Sequence, residues 1–468
     1  MTEKKGFINR SQELEALGKT FALPGKKLGI LYGRRRVGKT ELLLEFGKKK
    51  KFFYFLADKR GTAHNAQRFA GECAESLNDV PPRVENFDDA FSYLEKRLQG
   101  EKAVIVIDEF SYLVEKDESV PSVFQKIVDN ILKNSSVFLL LCGSSVSMMY
   151  HGTLSHQSPL YGRRDFQWKL EPLAFRDFRG FCPHLKFEDA VQRFAVVGGV
   201  PAYAARFQGG TLEQAIKESI LAKGTYLYDE PEALLREELR DPSTYFSILE
   251  AAATNAKLTE IANAASVPAQ DMPKYLKVLQ DLQLMGKNYP VTEKKTKRTH
   301  YAIKDPFFRF WFRFVHPRKS ALESGNADAA WPVVQRDLNA FVGHAFEEVC
   351  REYLERVRPA PFTKIGHWWG FDEKRNTVDI DWIALDENQK TLLAVECKWK
   401  KNVDAGRVAE ELMEKTRAVN WQNAKRQTFY AVMARSFKEK PEHENAFFVD
   451  AKQMDEALKP QRKAVRIH

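Results

Sequence analysis

The residues with the clearest chemistry form a glycine-rich loop between an apolar segment, 28–32, and a helical pattern, 41–46. The loop fits the pattern G-x-x-x-x-G-K-[ST], in which backbone N–H groups point at the β- and γ-phosphates of a nucleotide. The lysine adds a point charge at the β/γ oxygens, and the threonine hydroxyl binds Mg²⁺. The residues predicted to bind ATP in this loop are Gly33, Arg34, Arg35, Arg36, Val37, Gly38, Lys39 and Thr40.

A pair of acids, Asp108 and Glu109, directly follows the apolar run 103–107. A buried parallel strand would carry both acids to its carboxyl edge, beside the phosphate loop. We expect Asp108 to hold Mg²⁺ through water and Glu109 to polarise the water that attacks the γ-phosphate. Ser144 and Ser145 follow another apolar run. Ser144, or alternatively Ser145, would sense the γ-phosphate, unless the two only form a strand-to-helix turn.

Three arginines have sequence positions from which a nucleotide could be contacted. Arg163 and Arg164 end the loop 158–164. One of them would act as an arginine finger in cis or on a neighbouring subunit, unless both have structural roles. Arg10 precedes a predicted helix, and it would lie either near the nucleotide or on the surface.

Carboxylates and a lysine recur at strand spacing nearer the carboxyl end. Asp381 lies in one apolar run, and Glu396 and Lys398 share one face of the next, because side chains alternate along a strand. If these strands pair, the three side chains converge. Two carboxylates can bind a divalent metal that activates water at a scissile phosphate, and a lysine can position or deprotonate that water. Glu347, on a predicted helix, would add a metal ligand; the alternative is an ordinary hairpin with solvated acids.

The elements that position the first two motifs are apolar strands separated by helical patterns. The predicted strands are 28–32, 51–56, 103–107 and 137–141. Nearly continuous apolar strands that alternate with helices indicate a parallel sheet covered on both faces.

Residues 242–315 contain three helical patterns and two strand-like segments, as in a winged helix-turn-helix. The third helix, 271–284, would enter a DNA major groove with Lys274 and Lys277 at its side. Alternatively, the wing only packs domains together. We expect the aromatic run 305–315 in a buried junction, with a platform for bases as the other interpretation. The basic tip that would contact DNA phosphates consists of Lys294, Lys295, Lys297 and Arg298.

Length and composition limit the class of protein. A chain of 468 residues predicts about three domains, and 44% hydrophobic residues exclude a disordered chain. The sequence lacks an apolar run of about 18 residues and an initial signal segment, so we expect no membrane association. Five scattered cysteines without a C-x-x-C pair favour a reducing cytoplasm over a disulfide framework or zinc site. The net charge of +10 permits nucleic-acid binding without establishing it.

Taken together, the motifs of residues 5–235 resemble those of the archaeal-type AAA ATPases related to the STAND group. The segments that narrow the resemblance are Leu-Tyr-Gly-Arg at 160–163 and Gly-Gly-Val-Pro-Ala-Tyr at 198–203, the latter in a helical lid. The sensor position is a serine, Ser144, where the wider AAA group has asparagine or threonine.

The spacing of Asp381, Glu396 and Lys398 resembles the PD-(D/E)xK nuclease superfamily over residues 335–450. More closely, it is similar to the nuclease-like domain of uncharacterised function that is often fused to these ATPases. Ile380 stands where the superfamily motif has a proline.

These resemblances imply a multidomain α/β protein that binds ATP and Mg²⁺. We predict an ATPase core with a parallel sheet, a helical lid, a winged helix-turn-helix, a linker and an α/β restriction-endonuclease-like domain. The respective boundaries are 1–169, 170–240, 241–318, 319–334 and 335–468. The expected function couples nucleotide state to DNA binding and metal-dependent DNA cleavage in the cytoplasm, with homo-oligomers formed through the ATPase domain.

Three other functions fit the same residues. One is a signalling ATPase switch whose C-terminal domain binds DNA or protein without catalysis. Another is a nuclease fold that binds DNA but does not cut it. A transcription regulator would depend on the winged helix alone.

Overall fold

The computed structural model describes residues 7–293, 296 and 298–460. These residues form two compact units, 7–172 and 173–460. Within the described residues, none of the helices is both long enough and apolar enough to cross a bilayer.

The first unit is a five-stranded sheet covered by helices. Its elements in chain order are α1 (Ser11–Ala22), β1 (Lys27–Tyr32), α2 (Lys39–Gly47), β2 (Lys51–Leu56), α3 (Thr62–Ser76), α4 (Phe87–Leu98), β3 (Ala103–Asp108), α5 (Phe110–Lys116), α6 (Val120–Lys126), β4 (Val137–Gly143), α7 (Val146–Met149) and β5 (Phe166–Lys169). The strand order is β2-β3-β4-β1-β5, and every neighbouring pair is parallel. The predicted parallel sheet is therefore confirmed.

The two faces of this sheet bury different side chains. Along β3, Ile105 and Ile107 pack in one core, and Val104 and Val106 pack in the other. A strand buried on both faces must be apolar at every position, which is why β3 and β4 read as continuous apolar runs. Because all strands point the same way, their carboxyl ends meet at one edge, where the phosphate loop lies.

Strand β5 was not among the predicted strands. Of its four residues, only Phe166 is buried, and none is β-branched. The strand forms by pairing with β1, and the Asp165 carboxylate accepts a hydrogen bond of 2.8 Å from the Leu28 N–H at its start. An edge strand held by such contacts has little signal in its own sequence.

The second unit is helical at first and ends in a mixed sheet. Its elements are α8 (Phe175–Phe178), α9 (Phe187–Val197), α10 (Pro201–Arg206), α11 (Leu212–Ile216), α12 (Tyr226–Glu238), α13 (Pro242–Ala252), α14 (Leu258–Ala264), α15 (Met272–Asp281), β6 (Met285–Asn288), β7 (His300–Ile303), α16 (Pro306–Phe310), α17 (Lys319–Glu323), α18 (Ala327–Val357), β8 (Lys364–Phe371), β9 (Thr377–Asp386), β10 (Thr391–Lys398), α19 (Ala405–Arg417), β11 (Gln427–Ala434), β12 (Ala446–Val449) and α20 (Ala451–Ala457).

Three helices, α13 to α15, precede the antiparallel hairpin of β6 and β7. This is the order of elements that the sequence predicts for residues 242–315. The hairpin packs on β8: the rings of His300 and Trp369 stack with centroids 4.4 Å apart, and the Val291 N–H donates to the His367 carbonyl at 2.9 Å. The aromatic run that follows is buried, with Phe307, Phe308, Phe310 and Trp311 fully enclosed. It is therefore part of the core and not an open platform for bases.

The mixed sheet has the order β12-β11-β10-β9-β8. Strands β8, β9 and β10 are antiparallel neighbours, whereas β10, β11 and β12 are parallel. A parallel pair needs a crossover, and α19 supplies it between β10 and β11. The predicted pairing of β9 with β10 through a short turn is confirmed.

The predicted linker, 319–334, differs from the structure because it is largely helical. It contains α17 and the first turns of α18, and Leu322, Ala330 and Val334 are buried in the core of the second unit. The pattern of small and polar residues predicts a linker, but alanine is a strong helix former, and Ala330 packs in this core from α18.

Candidate functional site

The phosphate loop takes a shape that depends on its glycines. Gly38 has φ 91° and Arg36 has φ 72°, both in the left-handed region that favours glycine. A side chain on Gly33 would meet the Leu170 carbonyl oxygen at 2.5 Å. Glycine is therefore needed at position 38 because of the backbone conformation, and at position 33 because a side chain has no space there.

Inside the loop, the Lys39 ammonium donates to the carbonyls of Gly33 at 2.9 Å and Arg34 at 3.1 Å. Lys39 opens α2, so its charge lies at the positive end of that helix, where anions bind. The Arg35 guanidinium donates to the Tyr112 hydroxyl at 2.6 Å.

Thr40 and Asp108 meet at the carboxyl edge of the sheet. The Thr40 hydroxyl donates to the Asp108 carboxylate at 2.8 Å, and the Tyr54 hydroxyl donates to the same oxygen at 2.8 Å. Burial and the neighbouring Asp108 charge raise the pKa of Tyr54, so its hydroxyl stays protonated and donates. A hydroxyl and a carboxylate within one hydrogen bond form an oxygen pair of the kind that Mg²⁺ prefers.

Glu109 follows Asp108 in the left-handed conformation, with φ 53°. Its carboxylate accepts from the Ser144 hydroxyl at 2.7 Å and from the Ser144 N–H at 3.3 Å. The structure thus brings together the acid and the serine that the sequence singles out on separate strands.

The two outlying arginines have different positions. Arg10 is 7% exposed, and its guanidinium donates to the Val37 carbonyl at 2.9 Å, so it supports the phosphate loop. Arg163 pairs with Asp129 at 2.8 Å and donates to the Pro159 carbonyl.

Arg163 lies two residues before Asp165, at the edge of the sheet where β1 begins. The phosphate loop is at the other end of β1, about 17 Å away at about 3.3 Å per residue. Within its own chain Arg163 is paired with Asp129, and its contact with a nucleotide, in cis or across a subunit boundary, stays a prediction.

In the second unit, Asp381 lies beside the end of β10. Its carboxylate accepts a hydrogen bond of 2.7 Å from the Cys397 N–H, next to Glu396. Burial and the negative charges of Glu347 and Glu396 raise the pKa of Asp381 to about 7. This repulsion marks the convergence of three carboxylates contributed by α18, β9 and β10.

Glu396 is 6% exposed and is bound by two lysines. The Lys398 ammonium contacts Oε1 at 2.6 Å, whereas the Lys415 ammonium contacts Oε1 and Oε2 at 3.1 Å each. Sequence reasoning missed Lys415, which belongs to α19. Its only signal is its position beside the buried stripe of that helix, which includes Leu412 and Thr416.

Glu347 is held near this cluster by its backbone, because its carbonyl accepts from the Trp382 indole N–H at 2.9 Å. Its carboxylate lies 3.5 Å from His344 Nδ1. Among the described residues, no group of three or more acids, histidines or cysteines has the spacing of a formed metal site. His367, also missed, contacts the Asp381 carbonyl oxygen through Nδ1 at 2.7 Å.

The basic residues proposed for DNA contact are partly engaged. Lys274 pairs with Asp271 at 3.3 Å, and Lys277 pairs with Asp281 at 2.8 Å. Arg298 forms an ion pair with Glu293 and donates to the Trp369 carbonyl. The rest of the predicted tip, Lys294, Lys295 and Lys297, lies outside the described residues.

Two family models match the chain. Residues 7–207 match an ATPase domain predominantly from Archaea, and residues 311–412 match a family described as Archaea bacterial proteins of unknown function. The match of residues 7–207 to the ATPase domain model supports ATP binding and hydrolysis by this chain.

Three archaeal proteins illustrate the similarity of this chain to known sequences and structures. The uncharacterized protein MJECL04 of Methanocaldococcus jannaschii is 33% identical over 93% of this chain and 97% of its own. The Walker-type ATPase PABY2304 of Pyrococcus abyssi is 18% identical over 67% of this chain and 97% of its own, with a TM-score of 0.48. The STAND protein PH0952 of Pyrococcus horikoshii, a signal transduction ATPase with a tetratricopeptide repeat sensor, is 14% identical over 75% of this chain and 49% of its own, with a TM-score of 0.29.

The family assignment depends on the sequence matches. The chain belongs to the same family as the M. jannaschii protein, and in this chain an archaeal-type P-loop ATPase domain is followed by a region that matches a family of unknown function.

Proposed function

We propose that this protein hydrolyses ATP to control DNA binding and metal-dependent DNA cleavage by its C-terminal domain. The observation that carries the cleavage proposal is the cluster of Asp381, Glu396 and Lys398, where the carboxyl end of β10 lies beside the middle of β9. A half-buried and a buried carboxylate beside a lysine can bind a divalent cation and position water for the hydrolysis of a phosphodiester.

In the ATPase domain, Lys39 binds the β/γ oxygens and the helix start adds its positive end. Thr40 and Asp108 would hold Mg²⁺, which neutralises charge on the β- and γ-phosphates when bound. Glu109 orients the attacking water, and its hydrogen bond with Ser144 fixes the direction in which its carboxylate points. In this proposal, the same serine would respond when the γ-phosphate leaves.

In the C-terminal domain, Asp381 and Glu396 would hold a divalent cation, which polarises the scissile phosphate when bound. These residues fit a divalent cation because carboxylates supply hard oxygen ligands. The negative charges of Glu347 and Glu396 are close enough to Asp381 to raise its pKa. Lys398 positions or deprotonates the attacking water. Glu347 adds negative charge to the same cluster.

The DNA-binding proposal includes a winged helix formed by α13 to α15 and the hairpin of β6 and β7. The acid partners of Lys274 and Lys277 do not prevent phosphate binding, because exposed ion pairs contribute only about 0–1 kcal/mol. DNA phosphates can replace those partners, and the release of counterions would favour the exchange.

A second candidate is a signalling ATPase switch without catalysis at the C-terminal domain. One observation favours it: the hairpin contacts β8 through the stacked rings of His300 and Trp369, as a wing used for internal packing would. Nucleotide state would then change protein contacts instead of DNA contacts.

The test is cleavage of plasmid and linear DNA with Mg²⁺ or Mn²⁺, with and without ATP. We expect scission by the wild type and by Asp379→Ala, whose carboxylate is exposed on the same strand, but not by Asp381→Ala or Glu396→Ala. Loss of scission in Lys39→Ala would indicate that ATP gates cleavage. Intact ATP hydrolysis without scission under any of these conditions would favour the switch.

A further inference from the structure

Glu396 is contacted by Lys415 in a way that differs from its contact with Lys398. Lys398 binds one carboxylate oxygen, whereas Lys415 lies 3.1 Å from both. A point equidistant from two carboxylate oxygens is where a cation bound by both oxygens lies. The Lys415 ammonium thus lies where a metal ion bound by both oxygens of the Glu396 carboxylate would lie.

The fold explains how this lysine reaches the cluster. The crossover helix α19 packs on the sheet through a stripe that includes Ala409, Leu412 and Thr416, all buried. Lys415 is next to this stripe, and its side chain is 30% exposed, so its ammonium can reach either Glu396 or solvent. The lysine therefore has room to leave the carboxylate without unfolding the helix.

We propose that Lys415 is a positioning residue that holds Glu396 ready and competes with the divalent cation for it. This inference rests on the proposed metal centre. Cation binding displaces the Lys415 ammonium, which then faces the DNA phosphate that the cation also contacts. Cation binding and DNA binding therefore favour each other, and by linkage each raises the affinity for the other.

The test uses the full chain without nucleotide and measures Mn²⁺ binding by the electron paramagnetic resonance of free Mn²⁺. In Lys415→Met the side chain stays unbranched and becomes one atom shorter, but it loses its charge. We expect this variant to bind Mn²⁺ at least tenfold more tightly without DNA, which equals about 1.4 kcal/mol. We also expect Mn²⁺ to raise its affinity for a DNA duplex less than it does for the wild type.

Two controls separate charge competition from general effects. Arg417→Met removes a positive charge from the same helix at an exposed residue that pairs with Glu414, and it should leave the Mn²⁺ affinity within about twofold. Lys415→Arg keeps the charge and should bind Mn²⁺ as the wild type does. A melting curve for each variant confirms that it folds.

The outcomes distinguish this inference from the proposed function. If Glu396→Ala abolishes Mn²⁺ binding but Lys415→Met leaves the affinity unchanged or weakened, the role of Lys415 is wrong and the metal centre stands. Equal tightening in Lys415→Met and Lys415→Arg would also refute competition by charge. If Mn²⁺ binding does not depend on Asp381 or Glu396, both proposals are wrong.

Discussion

Replacing Asp381 by asparagine should stabilise the metal-free protein, and more so as the pH rises. The introduced amide would keep an oxygen to accept the Cys397 N–H bond, while removing the charge that burial, Glu347 and Glu396 disfavour. In the folded protein the pKa of Asp381 is about 7, against 3.8 for the ordinary group. This difference corresponds to about 4 kcal/mol at about 1.36 kcal/mol per pH unit.

The sign follows from proton linkage. Below about pH 4 the folded and unfolded chains both carry a protonated Asp381, so the carboxyl group has no cost there. Between about pH 4 and 7 only the unfolded chain loses the proton, so the folded wild type loses stability as the pH rises. Asparagine does not titrate, and its advantage therefore grows across this range.

The assay is thermal unfolding in a chelator at pH 5 and pH 8.5, with the transition of the second unit followed by tryptophan fluorescence. We expect Asp381→Asn to melt above the wild type by only a small margin at pH 5, where about 1.6 kcal/mol of the cost is present, and by at least about 5 °C at pH 8.5, where all of it is present. Asp379→Asn, which removes an exposed charge from the same strand, should match the wild type at both pH values.

An equal difference in melting temperature at pH 5 and pH 8.5 would refute the reasoning, because the gain would not then come from the charge of Asp381. Addition of Mn²⁺ gives a further check. A bound cation compensates the repulsion only where the carboxylate is present, so Mn²⁺ should stabilise the wild type more than Asp381→Asn.

Two further substitutions test other parts of the chain. A methyl group at Gly199 would lie 1.7 Å from a backbone carbonyl oxygen, so Gly199→Ala should lower the unfolding free energy by about 3 kcal/mol or more, measured by urea denaturation. Gly343→Ala, in open space on α18, should have no cost. Tyr54→Phe removes a hydrogen bond to Asp108 and should lower kcat for ATP hydrolysis about tenfold. Tyr93→Phe removes a similar hydrogen bond, to Asp79, and should leave kcat unchanged. Equal rates of ATP hydrolysis in the two variants would contradict the role of Tyr54.

The correct predictions of structure came mostly from motifs and periodic patterns within short stretches of the chain. The parallel sheet followed from four apolar strands, and the meeting of Thr40 with Asp108 follows from the common edge at which parallel strands end. The hairpin of β9 and β10 was equally accessible, because its period of two and its short turn lie within one stretch of chain.

What the sequence did not predict depends on contacts between distant segments. Arg163 was assigned to the nucleotide by its motif, and its ion pair with Asp129, 34 residues earlier in the chain, was not predicted. Lys415 reaches Glu396 only because a crossover helix returns over the sheet. Neither contact leaves a pattern at a fixed spacing, so periodicity cannot reveal it.

Helix α18 also carries a mechanical consequence. It has 31 residues, about 46 Å at 1.5 Å per residue, with its proline at Pro332 near one end. Beyond that proline the helix is an uninterrupted rod that carries Glu347 and, further on, Glu352, whose carboxylate accepts from the N–H groups of Phe175 and Arg176. A displacement of α8 would therefore move α18 through Glu352. Because α18 also carries Glu347, the same displacement would change the position of Glu347 relative to Asp381.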